Sequence, residues 1–141
     1  NRLDIFGEQL IMDDRDGILG REENLLSTAS FISIGEVFPL VSGFGGVCYP
    51  AHVDRPSFSV VANLGSFDES WGFANAEMSA FAQADRLIEE HPLLRKMRLL
   101  RASDAHCLEN IGSASTKLEL PCASPQAVID LLKGNYYLQG M

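Results

Sequence analysis

Short apolar segments of strand length alternate along this chain with segments of helical composition. Residues 76–79, 98–102 and 117–120 are apolar enough for strands, and residues 82–90, between the first two, have helical composition. A helix between two strands carries the chain back to the starting end of the sheet, so the two strands lie parallel. The alternation predicts an α/β fold with parallel strand pairing, either layered or closed into a barrel.

Local signals predict further elements near both ends of the chain. Residues 5–12 and 18–20 are apolar segments on either side of the turn cluster 13–17, which predicts a hairpin. Residues 47–49 are expected to form a short buried strand, and residues 59–64 a helical turn.

Two further helices have recognisable first turns. Ser33 and Glu36 have the spacing of a capping box. The helix that they start is expected to turn four apolar side chains inward: Val37, Phe38, Leu40 and Val41. Ser124 as N-cap and Pro125 as first residue predict the last helix, which ends before Gly134. Its expected inner face consists of Val128, Ile129, Leu131 and Leu132.

Length, charge and cysteine content limit the class of protein. A chain of 141 residues is long enough for one domain, and 19 acidic against 11 basic residues give it a net charge of −8. It lacks the basic stripe of a nucleic-acid binder, so no nucleic acid is expected as a partner. No apolar run approaches the roughly 20 residues that span a bilayer, so no membrane partner is expected either. Three cysteines without a C-x-x-C pair favour a reducing cytoplasm over a disulfide scaffold.

Two loops that follow predicted strands carry residues suited to metal binding. His52 follows the strand at 47–49, and Asp104 and His106 follow the strand at 98–102. Residues two apart on extended backbone project to the same side, so Asp104 and His106 are expected to face one cavity. Carboxylate oxygen and imidazole nitrogen bind Zn, Mn or Fe, and His52 would add a third ligand. The alternatives are a cap or surface pair for Asp104 and His106, and a hydrogen-bonded loop residue for His52.

Other polar residues are interpreted without a catalytic role. His91 lies at the end of the helix predicted at 82–90, where the helix dipole explains it, and Cys107 is interpreted as a small packing residue. Ser103, Asp104 and His106 are too close in sequence for a Ser-His-Asp triad, whose members normally come from separate elements.

Around His52 and Asp104 the sequence resembles the PHP (polymerase and histidinol phosphatase) superfamily, in particular its small stand-alone bacterial phosphoesterases. Three stretches carry the resemblance: residues 4–9, residues 45–57, and residues 103–106 followed by Ile111 and Gly112. The resemblance implies a distorted (β/α)7 barrel with a di- or trinuclear cluster of Zn, Mn or Fe at the carboxyl ends of its strands. It also implies that His52, Asp104 and His106 are metal ligands.

The implied activity is hydrolysis of phosphate monoesters of a small metabolite or nucleotide. Metal ions at such a site polarise a phosphoryl oxygen and lower the pKa of a bound water. From its position, Arg55 is a candidate contact for the substrate phosphate. A salt bridge from Arg55 to Asp54 or to another carboxylate is the alternative.

The chain departs from the family pattern because the H-x-H motif and several other ligands have no counterpart in it. It begins at Asn1 rather than Met, so we expect residues 1–141 to be a single partial domain, the C-terminal half of a barrel. A half barrel exposes strand edges and an apolar face. The chain is therefore expected to aggregate, to form a homo-oligomer or to pair with its missing N-terminal half. A non-catalytic PHP-like module acting in assembly or binding is the competing hypothesis.

Overall fold

The computed structural model describes residues 1–134, which fall into two compact units. The first unit comprises residues 1–31, and the second begins at Ile32. Each unit holds one two-stranded sheet, so the protein is a small mixed α/β domain. Residues 1–134 form no closed barrel. None of the helices within this range is long and apolar enough to cross a membrane.

The first unit is built around the predicted hairpin. Its elements are α1 (Leu3–Phe6), β1 (Leu10–Met12) and β2 (Ile18–Arg21). The two strands pair antiparallel, and the Asp13 carboxylate closes the turn by accepting hydrogen bonds from the backbone N–H groups of Arg15 and Gly17. The hairpin is confirmed, but the first strand is shorter than residues 5–12, because Leu3–Phe6 forms a helical turn.

The second unit contains the remaining helices. These are α2 (Ile34–Gly43), α3 (Val60–Leu64), α4 (Ala84–Glu90) and α5 (Pro125–Lys133), with 3-10 helices at Glu69–Trp71, Pro92–Lys96 and Leu108–Asn110. The capping box of Ser33 and Glu36 is present, and the Ser124 hydroxyl accepts a hydrogen bond from the Ala127 N–H. Leu40 was expected to face inward but is exposed on α2.

The second sheet confirms the predicted parallel pairing. It consists of β3 (Asn75–Met78) and β4 (Arg98–Arg101). Asn75 lies opposite Arg98, and α4 connects the two strands along the chain. The buried core beside this sheet is formed by five side chains: Val53, Ala76, Met78, Leu87 and Leu94. Removing these apolar groups from water is the main stabilising contribution to this unit.

Residues 47–49 do not form the regular strand that the sequence predicted, and the segment that follows them is hydrogen-bonded to Glu77 of β3. The Glu77 N–H donates to the Pro50 carbonyl at 2.9 Å, and the Val53 N–H donates to the Glu77 carbonyl at 2.8 Å. A regular parallel pair has one residue between such an acceptor and donor, whereas here Ala51 and His52 both lie between them. The extra residue is a β-bulge, which changes the direction of side chains at a strand end.

The strand predicted at residues 117–120 was wrong, since these residues form no regular secondary structure. At the neighbouring Thr116, the hydroxyl occupies the outer edge of β4. The Arg101 N–H donates to Thr116 Oγ1 at 2.6 Å, and the same hydroxyl donates to the Arg101 carbonyl at 2.9 Å. One side chain thus satisfies the two backbone groups that a further strand would have used there.

Candidate functional site

Three loops lie at the same edge of the second sheet. β3 and β4 are parallel, so their carboxyl ends lie together, and the hydrogen bonds of Glu77 with Pro50 and Val53 bring the first loop to β3. We call the three segments, residues 51–58, 79–83 and 102–107, the site loops. All the residues that the sequence singled out for metal or phosphate binding lie on the first and the third of these loops.

Asp54 joins the first site loop to the second. Its carboxylate accepts hydrogen bonds from the hydroxyl of Ser79 and from the Ser79 backbone N–H, the latter at 2.7 Å. Burial by itself raises the pKa of Asp54, but these hydrogen bonds to the ionised carboxylate outweigh burial. The pKa of Asp54 therefore lies below its usual range, and the carboxylate is ionised at neutral pH.

Arg101 holds the second site loop from the other side. Its guanidinium donates hydrogen bonds to the backbone carbonyls of Ser79, Ala80 and Ala82 at 2.9, 2.6 and 2.8 Å. Hydrogen bonds from a charged donor are stronger than those between neutral groups. From the sequence, Asp54 was considered only as a salt-bridge partner of Arg55, and Arg101 was not singled out. The available signals were the position of Arg101 at the end of an apolar strand and that of Asp54 two residues after His52.

Arg55 joins the first site loop to the third. One guanidinium nitrogen of Arg55, Nη2, lies 2.8 Å from Asp104 Oδ2. That oxygen is buried, and apart from this ion pair it has no hydrogen-bond partner among the described residues. The contact is therefore an ion pair between two site loops. The structure shows the salt bridge that was the alternative for Arg55, with Asp104 as the carboxylate, and the phosphate contact stays a prediction.

His52 lies within the β-bulge, in a backbone conformation that few residues adopt. Its φ angle is +31°, and its Nδ1 atom is buried with no hydrogen-bond partner in the described part of the chain. Buried polar atoms in folded proteins are nearly always partnered. This nitrogen therefore lacks the contact that a purely structural loop histidine would be expected to make there.

The geometry expected for Asp104 and His106 was wrong. The expectation required extended backbone, but Asp104 has a φ of +48°, in the left-handed region. The exposed imidazole of His106 turns back on its own loop, with Nδ1 at 2.8 Å from the carbonyl oxygen of Asp104. The Asp104 carboxylate instead contacts Arg55. The structure thus brings Asp104 to the loop of His52, whereas His106 stays on the outside of its own loop.

Unfavourable backbone conformations are concentrated in the site loops. Among residues 1–134, four non-glycine residues have a positive φ, and three of them, His52, Phe58 and Asp104, belong to these loops. Phe58 is also 89% exposed. Such conformations cost about 1–3 kcal/mol each and cluster at ligand sites. Their position here is a reason, independent of the sequence motifs, to treat this edge as a binding site.

His91 and Cys107 were predicted to have no catalytic role. His91 ends α4, and its imidazole packs edge-on against Phe67, with ring centroids 5.7 Å apart. Cys107 was interpreted as a packing residue, but it is exposed.

The donor atoms of the site suit a transition metal, although the set is incomplete. His52 Nδ1 and Asp104 Oδ2 are an imidazole nitrogen and a carboxylate oxygen, both without hydrogen-bond partners, and such atoms bind Zn, Mn and Fe. Within residues 1–134, no group of three or more His, Cys, Asp or Glu side chains is arranged to hold a metal ion. The donor types are those of a metal centre, but the described residues do not assemble one.

The chain matches no protein-family model, no curated protein and no solved structure. The resemblance to the PHP superfamily therefore stays a prediction made from the sequence motifs.

Proposed function

We propose that this chain supplies part of the metal centre of a PHP-type phosphoesterase, in the C-terminal portion of a distorted (β/α)7 barrel. The contact between Arg55 and Asp104 carries the proposal, because it joins two loops that each contain a buried polar atom without a hydrogen-bond partner. These two atoms are His52 Nδ1 and Asp104 Oδ2, which are the donor types that a metal ion takes in proteins. The parallel order of β3 and β4 supports the barrel, in which ligands bind at the carboxyl ends of the strands.

Each residue has a distinct part in this proposal. His52 and Asp104 would hold a Zn, Mn or Fe ion, and His106 would join them after leaving the carbonyl oxygen of Asp104. The bound ion would polarise a phosphoryl oxygen and activate a water molecule for attack on phosphorus. Arg55, whose side chain is 42% exposed, would hold the substrate phosphate through its guanidinium. Asp54 and Arg101 would fix the second site loop, which follows β3.

Further ligands would come from another polypeptide segment. The described residues do not assemble three ligands, and a di- or trinuclear centre needs more. We propose that an N-terminal half bearing an H-x-H motif provides them. A small phosphorylated metabolite or nucleotide is the proposed substrate, since the net charge of −8 disfavours a long polyanion.

Metal binding is the first test. The purified chain is titrated with Mn²⁺, and free Mn²⁺ is followed by electron paramagnetic resonance. We expect binding that is lost in Asp104→Asn and in His52→Ala, but kept in His91→Ala. Asparagine is chosen at position 104 because it tolerates a left-handed backbone while removing the charge. Unchanged binding in Asp104→Asn would rule out this carboxylate as a ligand.

Reconstitution tests the activity itself. The chain is mixed with a PHP N-terminal half that carries H-x-H, and hydrolysis of p-nitrophenyl phosphate is measured with added Mn²⁺. Activity that appears only on mixing, and disappears with Asp104→Asn, is the expected result. No activity with Mn²⁺, Zn²⁺ or Fe²⁺, although the two halves bind each other, would contradict the proposed hydrolysis.

A non-catalytic role in assembly is the second candidate, and the first unit favours it. All three residues of β1 are exposed, as are Leu3, Ile5 and Phe6 of the segment before it. Contiguous exposed apolar surface is typical of interfaces between proteins. A stable homo-oligomer without bound metal would favour this role over the phosphoesterase.

A further inference from the structure

The outer edge of β4, the edge that faces away from β3, is covered at its end by the side chain of Thr116. We propose that Thr116 guards this edge against pairing with β4 of a second copy of the chain, so that loss of its hydroxyl opens a site of self-association. An unpaired strand edge presents N–H and C=O groups to any other strand, and natural proteins protect such edges. None of the candidate ligands takes part, so the guard is independent of the proposed phosphoesterase.

The hydrogen bonds of β4 show which of its backbone groups point outward. The Arg98 N–H donates to the carbonyl of Ala74, the residue before β3, at 2.9 Å. Successive residues of a strand direct their N–H and C=O groups alternately to its two sides. The backbone groups of Leu99 and Arg101 therefore point away from β3, to the outer edge.

Thr116 covers only part of this outer edge. The Arg101 N–H donates to Thr116 Oγ1 at 2.6 Å, and the same hydroxyl donates to the Arg101 carbonyl at 2.9 Å. Within residues 1–134, the N–H and C=O groups of Leu99 have no such partner. Thr116 is exposed, and residues 117–120 after it form no regular secondary structure. A hydroxyl, and not a paired main chain, thus closes the edge at Arg101.

The exposed edge of β4 is complementary to itself in antiparallel orientation. A two-fold axis beside Leu100 places Leu99 of each copy opposite Arg101 of the other, so that both outward residues form hydrogen-bonded pairs. Arg98 then lies opposite Ala102, and no two arginines face each other, which would be destabilising. The pairing would join two two-stranded sheets into one of four strands, and sheets of three or more strands are the more stable.

Thr116→Val tests the guard, because it removes the hydroxyl at an exposed position and nearly keeps the shape of the side chain. The molar mass of the full chain is measured by size-exclusion chromatography with light scattering. We expect a mass twice that of the unmodified chain at the same concentration, and the same for Thr116→Ala. Thr116→Ser, which keeps the hydroxyl, should leave the mass unchanged. So should Thr28→Val, which removes an exposed hydroxyl that donates to the Leu25 carbonyl.

Amide hydrogen exchange measured by NMR locates the contact. In folded Thr116→Val, checked by far-UV circular dichroism, we expect the amides of Leu99 and Arg101 to become more protected as the protein concentration rises. An unchanged mass in this variant would refute the proposal. A doubled mass with both amides unprotected would place the contact elsewhere. Protected amides at unchanged mass would mean that the chain itself covers the edge, and either result also overturns the proposal.

Discussion

The Asp54 carboxylate accepts hydrogen bonds from the hydroxyl and the backbone N–H of Ser79, and these bonds tie the loop of His52 to the end of β3. On the opposite side, the Arg101 guanidinium donates hydrogen bonds to three backbone carbonyls, one of which is that of Ser79. Every polar group of Ser79's main chain therefore has a charged partner. These hydrogen bonds are made within the chain, so the second site loop is positioned without any ligand.

Asp54→Ala is expected to lower the free energy of unfolding by about 2 kcal/mol, because hydrogen bonds to charged groups contribute about 1.5–3 kcal/mol. The measurement is urea denaturation followed by circular dichroism. Asp14→Ala, which removes the same charge from an exposed turn, is the control and should change stability little. Equal effects of the two substitutions would show that the contact with Ser79 contributes no stability.

The lowered pKa of Asp54 also predicts the direction of a pH effect. The folded-state pKa lies below the unfolded value, so the contribution to stability is complete above the unfolded pKa of about 3.9. It is lost as pH falls through the folded pKa. We expect Asp54→Ala to flatten the decline in urea midpoint between pH 5 and the acid range, relative to the unmodified chain. Parallel declines in both proteins would contradict this assignment.

The regular elements of the second unit were predictable because local signals determine them. Ser124 and Pro125 mark the start of α5, and the apolar segments at β3 and β4 are separated by a helix of the right length. The prediction failed where a contact between residues distant in sequence overrides the structure that the local sequence pattern favours. Residues 117–120 have the composition of a strand, but the hydroxyl of Thr116 already occupies the edge of β4.

The candidate site was predictable in position but not in geometry. Its location follows from the parallel strands, since loops at their carboxyl ends lie together. The φ of Asp104 does not follow from its neighbours in sequence, and Arg55, which its carboxylate contacts, is far from it along the chain. The bulge at His52 likewise depends on the hydrogen bonds of Glu77. Such conformations are set by tertiary contacts that a local pattern does not record.

Asn75 offers a test of how β3 is tied to α5. It is 1% exposed, and its side-chain amide donates a hydrogen bond to the Leu132 carbonyl at 2.7 Å. Asn75→Ala leaves that carbonyl without its donor, and an unsatisfied buried group costs about 1–3 kcal/mol. We expect a loss of this size in the free energy of unfolding, measured by urea denaturation. Asn110→Ala, at an exposed position, is the control, and a loss as large there would argue against the specific contact.

A comparison of alanine substitutions at Gly72 and Gly65 distinguishes the cost of backbone strain from the cost of steric crowding. Both end a helical segment with positive φ, +76° and +81°, so alanine at either position costs about 1–2 kcal/mol of backbone strain. A Cβ at Gly65 meets no atom within 4 Å, whereas one at Gly72 lies 3.0 Å from Cδ1 of Phe38, whose ring packs edge-on against Phe73. Gly72→Ala should therefore be less stable than Gly65→Ala by about 1–2 kcal/mol, the cost of overpacking. Thermal denaturation of the two variants gives the difference, and equal stabilities would mean that the Phe38 ring moves aside freely.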